Sequence, residues 1–230
     1  MKTNEYIIKE SDHFATIQFP IVEYTIDSYE EIRVDLVKII DELELWLKTN
    51  KSTSKTSDGL TNTRSILTGH FSKYNILDYA ESYSTIERLK QFINDAYFDY
   101  VEKYLNASFE LNKVQCWANK LSHLDWLDKH AHTFVFDSSI SANFFVDSNC
   151  PSQTLYHVPI MHDRFLPLEN KPGTLTFFGS IMYHETTSQR STYGHRYSLG
   201  LDFYHEKSQA APLHLPYVDL QKNIKYKLES

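Results

Sequence analysis

The sequence contains little cysteine and little glycine. Cysteine occurs twice, as Cys116 and Cys150, and glycine six times in 230 residues. Two cysteines do not make a disulfide framework, so we expect free thiols in a reducing, cytoplasmic compartment. The first residues, MKTNEYIIKESDHF, also lack a continuous apolar stretch of signal-peptide length, which favours the same compartment.

Long apolar runs and clusters of basic residues are missing too. No segment approaches the roughly 20 apolar residues that span a bilayer, so no membrane partner is expected. The formal net charge is −7 at pH 7, and no run of basic residues occurs. Because the neutralisation of phosphates requires clustered Lys and Arg, this composition argues against a nucleic-acid partner.

Aromatic residues, in contrast, are abundant. The chain has 16 Tyr and 14 Phe. A chain of this length buries roughly 70% of its unfolded surface on folding, which is enough for a substantial core. We therefore predict a single domain over residues 1–230, with aromatic side chains filling much of its core.

Two helices are predicted in the first half of the chain. Ser28 with Glu31 forms a capping-box pattern before the first helix, and Ser84 with Glu87 forms one before the second. The polar stretch between the two helices predicts an exposed loop. Behind each cap, apolar residues recur at helical spacing: Ile32, Leu36, Ile39, Leu43 and Leu47 in the first helix, and Ile86, Leu89, Ile93, Tyr97, Val101 and Tyr104 in the second.

Short strands are predicted before and after these helices. The segment from Phe14 to Ile26 mixes β-branched and aromatic residues and predicts one or two strands. From about Phe109 onward, six such segments alternate with turn residues: FELNKVQCW, HTFVF, SISANFFV, QTLYHV, GTLTFF and HRYSLGLDFY. Two helices followed by many short strands indicate an α+β fold, with the helices packed against an antiparallel sandwich or barrel. The tail from Lys207 is predicted to be irregular.

Three of the eleven histidines form a pattern suited to a metal ion. His130 and His132 are two residues apart, so on a strand their imidazoles point to the same face. With His184 they make one face of an octahedron and leave three positions open, which oxygen chemistry at ferrous iron requires. Imidazole also suits Zn, Cu and Ni. The alternative interpretation is a pair of half-buried strand histidines bonded to the backbone.

A second pattern follows His184. Arg196 and Ser198 are also two residues apart in the strand HRYSLGLDFY and share one of its faces. A guanidinium beside a hydroxyl is a suitable receptor for a carboxylate, because Arg offers paired donors in a fixed fork. A metal with open positions and a carboxylate receptor nearby suit a chelating keto-diacid.

Taken in order, these segments resemble the Fe(II)/2-oxoglutarate-dependent oxygenases, whose double-stranded β-helix (jelly-roll) has H-x-D/E, a distal His and an Arg soon after. The chain is most similar to a subfamily with W-x-N, H-x-H, a strand like L-S-G-V-Y-Y-L, then G-x-L-x-x-F-P-S-x-x-x-H and R-x-S. The match covers roughly residues 115–204. The matching segments are Trp117-Ala118-Asn119, His130-Ala131-His132, Ile140–Val146, GTLTFFGSIMYH and Arg196-Tyr197-Ser198.

The chain departs from the family pattern at three positions. Gly179 stands where the family usually has Pro, and Ala142 where it usually has Gly. The important departure is His132, which replaces the usual carboxylate ligand. A neutral imidazole there leaves the metal site one charge unit more positive than the usual triad.

Other residues near the motif are of types that bind metals. His123-Leu124-Asp125 spells the usual H-x-D, but it precedes His130 by only seven residues. We interpret this match as a coincidence, with the residues at the surface or next to the metal ligands. Asp137 and Glu185 lack the i, i+2 relation to His130. His157 is a candidate to face the site from its own strand.

The resemblance implies a fold and a set of ligands. The fold is α+β, a double-stranded β-helix core over about residues 109–206 with N-terminal helical support over about residues 26–108. Fe(II) is bound by the three histidines named above. The co-substrate 2-oxoglutarate chelates the metal and places its far carboxylate on Arg196 and Ser198. Asn143 is expected to line its pocket, because a polar residue in an apolar strand needs a partner. No catalytic residue beyond the metal centre is expected.

The implied activity is hydroxylation of an unactivated C–H bond, with O₂ consumed and succinate and CO₂ released. The expected substrate is a small molecule or of amino-acid type, contacted by residues around 50–75 and by the segment YHVPIMHDRFLP. Two alternatives stay open. A three-histidine cupin-like dioxygenase would need no 2-oxoglutarate and would leave Arg196 and Ser198 without a role. A non-catalytic jelly-roll binding module would have the histidines merely packed.

Overall fold

The computed structural model describes residues 1–11, 16–50, 74–107, 111–122, 125–132, 140–159, 164–187, 194–205 and 218–221. They form an α+β structure with two antiparallel sheets and helices on one side. The predicted fold class is confirmed. Within the described residues, no helix combines the length and the apolar character needed to cross a bilayer.

The larger sheet has seven strands in the order β1-β2-β7-β4-β9-β3-β10. Its central strand, β4, pairs with β7 on one side and β9 on the other. The bounds are β1 Lys2–Ser11, β2 Thr16–Thr25, β3 Leu111–Leu121, β4 Ile140–Ser148, β7 Thr174–Gly179, β9 Arg196–His205 and β10 Val218–Gln221.

The smaller sheet has three strands in the order β6-β5-β8. Its strands are β5 Gln153–His157, β6 Phe165–Glu169 and β8 His184–Thr186. The chain passes from β4 in the large sheet to β5 and β6 in the small one, returns for β7, and does the same again for β8 and β9. This alternation between two antiparallel sheets is typical of a jelly-roll.

Two long helices cover one face of the larger sheet. They are α1, Tyr29–Asn50, and α2, Ser84–Tyr104, with a short 3-10 helix, Ile76–Glu81, before α2. The predicted apolar stripes are confirmed over the described side chains: from Ile32 to Leu43 and from Ile86 to Val101 every stripe residue is buried in one core with the sheet. Tyr104 is half-buried, and the side chain of Leu47 lies outside the described part. Each buried Leu or Ile of this kind contributes about 1.5–3 kcal/mol.

The predicted capping boxes are wrong. Ser84 lies inside α2, and the N-cap is Tyr83, which makes no side-chain capping bond. Ser28 has a φ of 55°, outside the extended region of an N-cap residue. Glu31 bonds the guanidinium of Arg88 on α2 at 2.8 Å. The start of α1 is therefore fixed to α2 by Arg88, whose second nitrogen donates to the Ser28 carbonyl oxygen at 3.2 Å.

The predicted strands agree with β2, β3, β4, β5, β7 and β9, while most of HTFVF lies outside the described residues. The tail that was predicted to be irregular contains β10, which pairs with β3. The segment YHVPIMHDRFLP, which is predicted to contact substrate, contains the end of β5 and the start of β6. Pro167 obscured β6 in the sequence; a proline is tolerated there because β6 is an edge strand. β1, β2 and β10 also extend the large sheet beyond the predicted core range 109–206.

Candidate metal centre

The structure brings together the three histidines that the sequence singles out. His130, His132 and His184 offer ligand atoms that all lie within 4.8 Å of one another, a grouping that can hold one metal ion. Their ring centroids are 4.3 Å apart for His130 and His184, 5.0 Å for His132 and His184, and 5.2 Å for His130 and His132. His184 is buried and the other two are half-buried.

Backbone pairing places these residues at one point. His130 and His184 form an antiparallel bridge, with N–O distances of 3.0 Å and 2.8 Å. The amide of His132 then donates to the carbonyl oxygen of Ser180 at 3.1 Å. The H-x-H segment therefore lies beside β8 like a further strand of the small sheet. Upstream, Leu127 exchanges hydrogen bonds with the backbone and hydroxyl of Thr186, which anchors the segment.

Each of the three imidazoles uses its Nδ1 to bond an oxygen. His130 Nδ1 donates to the Asp128 carbonyl oxygen at 2.6 Å, and His184 Nδ1 to the Met182 carbonyl oxygen at 3.2 Å. His132 Nδ1 donates to the Asp202 carboxylate at 2.6 Å. A proton on Nδ1 leaves the Nε2 lone pair of each ring available to a metal.

The electrostatics of His184 favour the form that binds metals. Burial lowers its pKa well below the usual value, and the neighbouring His130 and His132 lower it further. An imidazole must be neutral to bind a metal ion. A low pKa keeps His184 in that form.

Trp117 and Gly200 shape the wall beside His132. The Trp117 ring lies 5.6 Å from the His132 ring, and Gly200 is its partner in the β3–β9 register. A Cβ atom added at Gly200 would meet the indole at 2.5 Å. The strand needs glycine at this point because the indole packs directly against the backbone. Gly200 was not singled out from the sequence.

Arg196 and Ser198 form a buried polar group on the inner side of β9. Both are 1% exposed. The Arg196 guanidinium donates from Nη1 to Ser198 Oγ at 3.0 Å and from Nε to Ser152 Oγ at 3.3 Å. Its Nη2 is buried and has no hydrogen-bond partner among the described residues. Burial lowers the Arg196 pKa to about 10, and the nearby Tyr156 partly opposes this shift.

Tyr156 lies between the imidazoles and Arg196. Its ring stacks on His184 at 6.1 Å, and its hydroxyl interacts with Thr176 and with the charge of Arg196. Burial raises its pKa, so it is a neutral hydroxyl. The alternation of QTLYHV places Tyr156 and His157 on opposite faces, a signal that could have identified Tyr156.

Two asparagines occupy the space near these groups. Asn143 on β4 lies beside Thr176 and Gly200 in the sheet register and is half-buried. Asn119 on β3 pairs with Ser198, so it shares the inner face of the sheet. Its Oδ1 is buried and has no partner among the described residues.

The remaining sequence candidates lie elsewhere. His157 does not face the site: it bonds Glu185 at 2.8 Å from the opposite face of the small sheet. Asp125 is buried and accepts a bond from the Ser122 amide at 2.8 Å, which is a local turn contact. His123 and Asp137 lie outside the described residues.

Comparison with known proteins gives the fold a name. No protein-family model and no curated protein matches the sequence. A prolyl hydroxylase from Trichoplax adhaerens, solved with a hypoxia inducible factor oxygen degradation domain peptide fragment, matches with a TM-score of 0.53 and 12% identity, over 80% of this chain and 84% of that one. The chain has a double-stranded β-helix fold.

A second structure with this double-stranded β-helix is similar over the same span. The non-heme alpha ketoglutarate dependent epimerase SnoN from nogalamycin biosynthesis matches with a TM-score of 0.52 and 12% identity, over 84% of this chain and 80% of that one. The two matches support the double-stranded β-helix fold of this chain.

Proposed function

We propose that this protein is a non-haem Fe(II)- and 2-oxoglutarate-dependent dioxygenase that hydroxylates an unactivated C–H bond. The observation that supports this most is the combination of three converging imidazoles with a buried guanidinium that has no carboxylate partner among the residues described by the structure. When bound, iron and 2-oxoglutarate supply O₂ activation coupled to decarboxylation, with succinate and CO₂ as products. All other steps concern what the chain's own residues bind and position.

The three histidines fit an iron ion as ligands. Each has its Nδ1 engaged by an oxygen, so each presents Nε2. The three imidazoles would hold the ion and would leave the rest of its coordination shell to co-substrate and O₂. We propose His130, His132 and His184 as the ligands. No further residue is needed as a general base.

The buried guanidinium fits the far carboxylate of 2-oxoglutarate. An unpaired buried cation is costly, and a carboxylate on Nη2 would satisfy both its charge and its free donor. Ser198 already touches Nη1 and can donate its hydroxyl proton to the same carboxylate. We propose Arg196 and Ser198 as this receptor, with Asn143 lining the pocket between the receptor and the imidazoles.

Two other functions explain fewer of these contacts. A three-histidine dioxygenase without 2-oxoglutarate would leave the buried Arg196 unpaired. A binding module without a metal would give no reason for three imidazoles whose ligand atoms all lie within 4.8 Å of one another. Both are outcomes of the experiment described below.

The proposal extends to substrate and compartment. The partner is O₂ together with a small-molecule or amino-acid-type substrate. The Trichoplax structure contains a peptide, which is compatible with an amino-acid-type substrate. A cytoplasmic location agrees with free thiols at Cys116 and Cys150.

The test is succinate formation by anaerobically purified protein supplied with Fe(II), 2-oxoglutarate and then O₂. The proposal predicts succinate only when the metal and 2-oxoglutarate are both present, because succinate is formed from 2-oxoglutarate and the metal is needed to activate O₂. Oxygen uptake that requires iron but does not depend on 2-oxoglutarate would favour the three-histidine dioxygenase. A chain that binds no iron would favour the binding module.

A further inference from the structure

The three candidate ligands differ in the group that holds Nδ1. His130 and His184 each bond a neutral backbone carbonyl, whereas His132 bonds a carboxylate, Asp202 Oδ1, at 2.6 Å. His132 is also the ligand that stands where a carboxylate is usual. The Asp202 carboxylate therefore contacts the ring that lacks the usual charge.

Asp202 is held firmly in this position. It is 3% exposed and lies on β9, opposite Ser141 in the central β4–β9 pairing. Ser141 Oγ donates to the same Oδ1 at 2.6 Å and lies 2.8 Å from Ser180 Oγ. The Ser180 carbonyl oxygen accepts the His132 amide. The backbone and the ring of His132 are thus fixed by one connected group of residues.

We propose that Asp202 is a positioning residue that gives His132 the role of an anionic ligand. Its carboxylate holds the proton on Nδ1, directs Nε2 to the metal and adds to the site the negative charge that the usual ligand carboxylate provides. Carboxylate–histidine pairs of this kind raise the basicity of a metal ligand. This inference rests on the proposed metal site.

The first test is metal affinity, measured by calorimetric titration of the full chain with Fe(II) under anaerobic conditions and with Zn(II). Asp202→Asn keeps the size of the side chain and removes its charge, and we expect it to weaken binding about 10–100-fold. Ser141→Ala removes the hydrogen bond from Ser141 to Asp202 but keeps the Asp202 charge, so we expect a smaller loss of metal affinity. Equal affinity for wild type and a folded Asp202→Asn would overturn the inference.

The matched control is Glu23→Gln. Glu23 is another buried acid of the same sheet, 3% exposed, that bonds Asn4 and Tyr6. It also interacts electrostatically with Tyr156, but within the described residues it bonds no histidine of the site. Its substitution is expected to leave metal affinity unchanged. An equal loss in both variants would show that removing any buried carboxylate disturbs the sheet and would overturn a specific role for Asp202.

A double-mutant cycle separates a role through His132 from a general structural role. In a His132→Ala background, Asp202→Asn is expected to have no further effect on metal affinity, because the ring that transmits the charge is gone. A second full loss in that background would contradict the inference.

A measurement on the wild type requires no variant. In the metal-free protein, ¹⁵N–¹H correlation of the imidazoles should show His132 protonated on Nδ1 and unprotonated on Nε2. The opposite tautomer would overturn the inference even if Asp202→Asn failed to fold. A wild type that binds no metal overturns this inference and the proposed function together, whereas a wild type that binds metal as tightly as folded Asp202→Asn overturns this inference alone.

Discussion

The two faces of the large sheet differ in what their side chains do. Along β9, Leu199, Leu201 and Phe203 pack against the helices in one apolar core. The residues that alternate with them face the inside of the β-helix: Arg196, Ser198, Gly200 and Asp202. Since neighbours on a strand point to opposite faces, one strand builds both environments.

The difference shows which side chains stabilise the fold and which are kept for another reason. Apolar burial on the helix side stabilises the fold by about 1.5–3 kcal/mol per large side chain. On the inner side, a buried polar atom without a partner costs about 1–3 kcal/mol. Among the described residues, Arg196 Nη2 and Asn119 Oδ1 are such atoms, and the proposed co-substrate would offset their cost by bonding them.

The largest effect is expected on the inner face. Arg196→Ala should abolish 2-oxoglutarate-dependent succinate formation, a loss of about 100-fold or more, because it removes a charge-assisted carboxylate contact. The fold should remain intact, since within the described part of the chain the guanidinium donates hydrogen bonds only to the hydroxyls of Ser152 and Ser198. Succinate assays with near-UV circular dichroism measure both. Arg33→Ala, whose side chain pairs with Glu30 and Asp147 near the surface, is the control.

On the helix side we expect a substitution to lower stability and to leave metal affinity unchanged. Phe203 stacks on Tyr97 with ring centroids 4.6 Å apart and lies 5.3 Å from Phe177. Phe203→Ala should lower the free energy of unfolding by about 3–5 kcal/mol, because it leaves a cavity in a close-packed core. Urea unfolding measures the loss, and metal affinity of the folded protein should stay near that of the wild type. A large fall in affinity at equal foldedness would break the comparison between the two faces.

Where the inner face is tightly packed, we expect a substitution to lower both stability and metal affinity, each by an intermediate amount. Gly200→Ala places a Cβ 2.5 Å from the Trp117 indole, so the ring must move. We expect a loss of about 1–3 kcal/mol in unfolding free energy, the usual cost of overpacking. Because the indole lies beside His132, metal affinity should fall as well. Unchanged stability and affinity would show that the indole moves freely.

The smallest effect on stability is expected at Asn119. Asn119→Ala removes a buried acceptor that has no partner in the described ranges, so the free energy of unfolding should change by less than about 1 kcal/mol. The apparent KM for 2-oxoglutarate should rise several-fold if the amide contacts the bound co-substrate. Thermal unfolding and succinate kinetics measure the two quantities. A large loss of stability would assign Asn119 to the fold.

Periodic features were predictable from the sequence. The helical stripes and most strands follow from the alternation of buried and exposed residues, and the i, i+2 spacing correctly placed Arg196 and Ser198 on one face. The convergence of His130 and His132 arises differently from the prediction. It comes from one bridge to His184 and a bond to Ser180 and does not need a continuous strand.

Features that depend on register or on edge strands were not predictable. Asp202 meets His132 across 70 residues of chain, and this contact follows from the β4–β9 register. The need for glycine at position 200 follows from its contact with Trp117 on the neighbouring strand. β6 and β10 are short strands at sheet edges. Few packing contacts constrain the residue types there, so the sequence pattern of a strand is weak.

The most direct test of the central claim is a crystal structure of the protein grown anaerobically with Fe(II) and 2-oxoglutarate. The account predicts one anomalous iron peak bound by Nε2 of His130, His132 and His184, with the far carboxylate of the co-substrate on Nη2 of Arg196. Iron bound elsewhere, or a co-substrate whose carboxylate avoids Arg196, would contradict it.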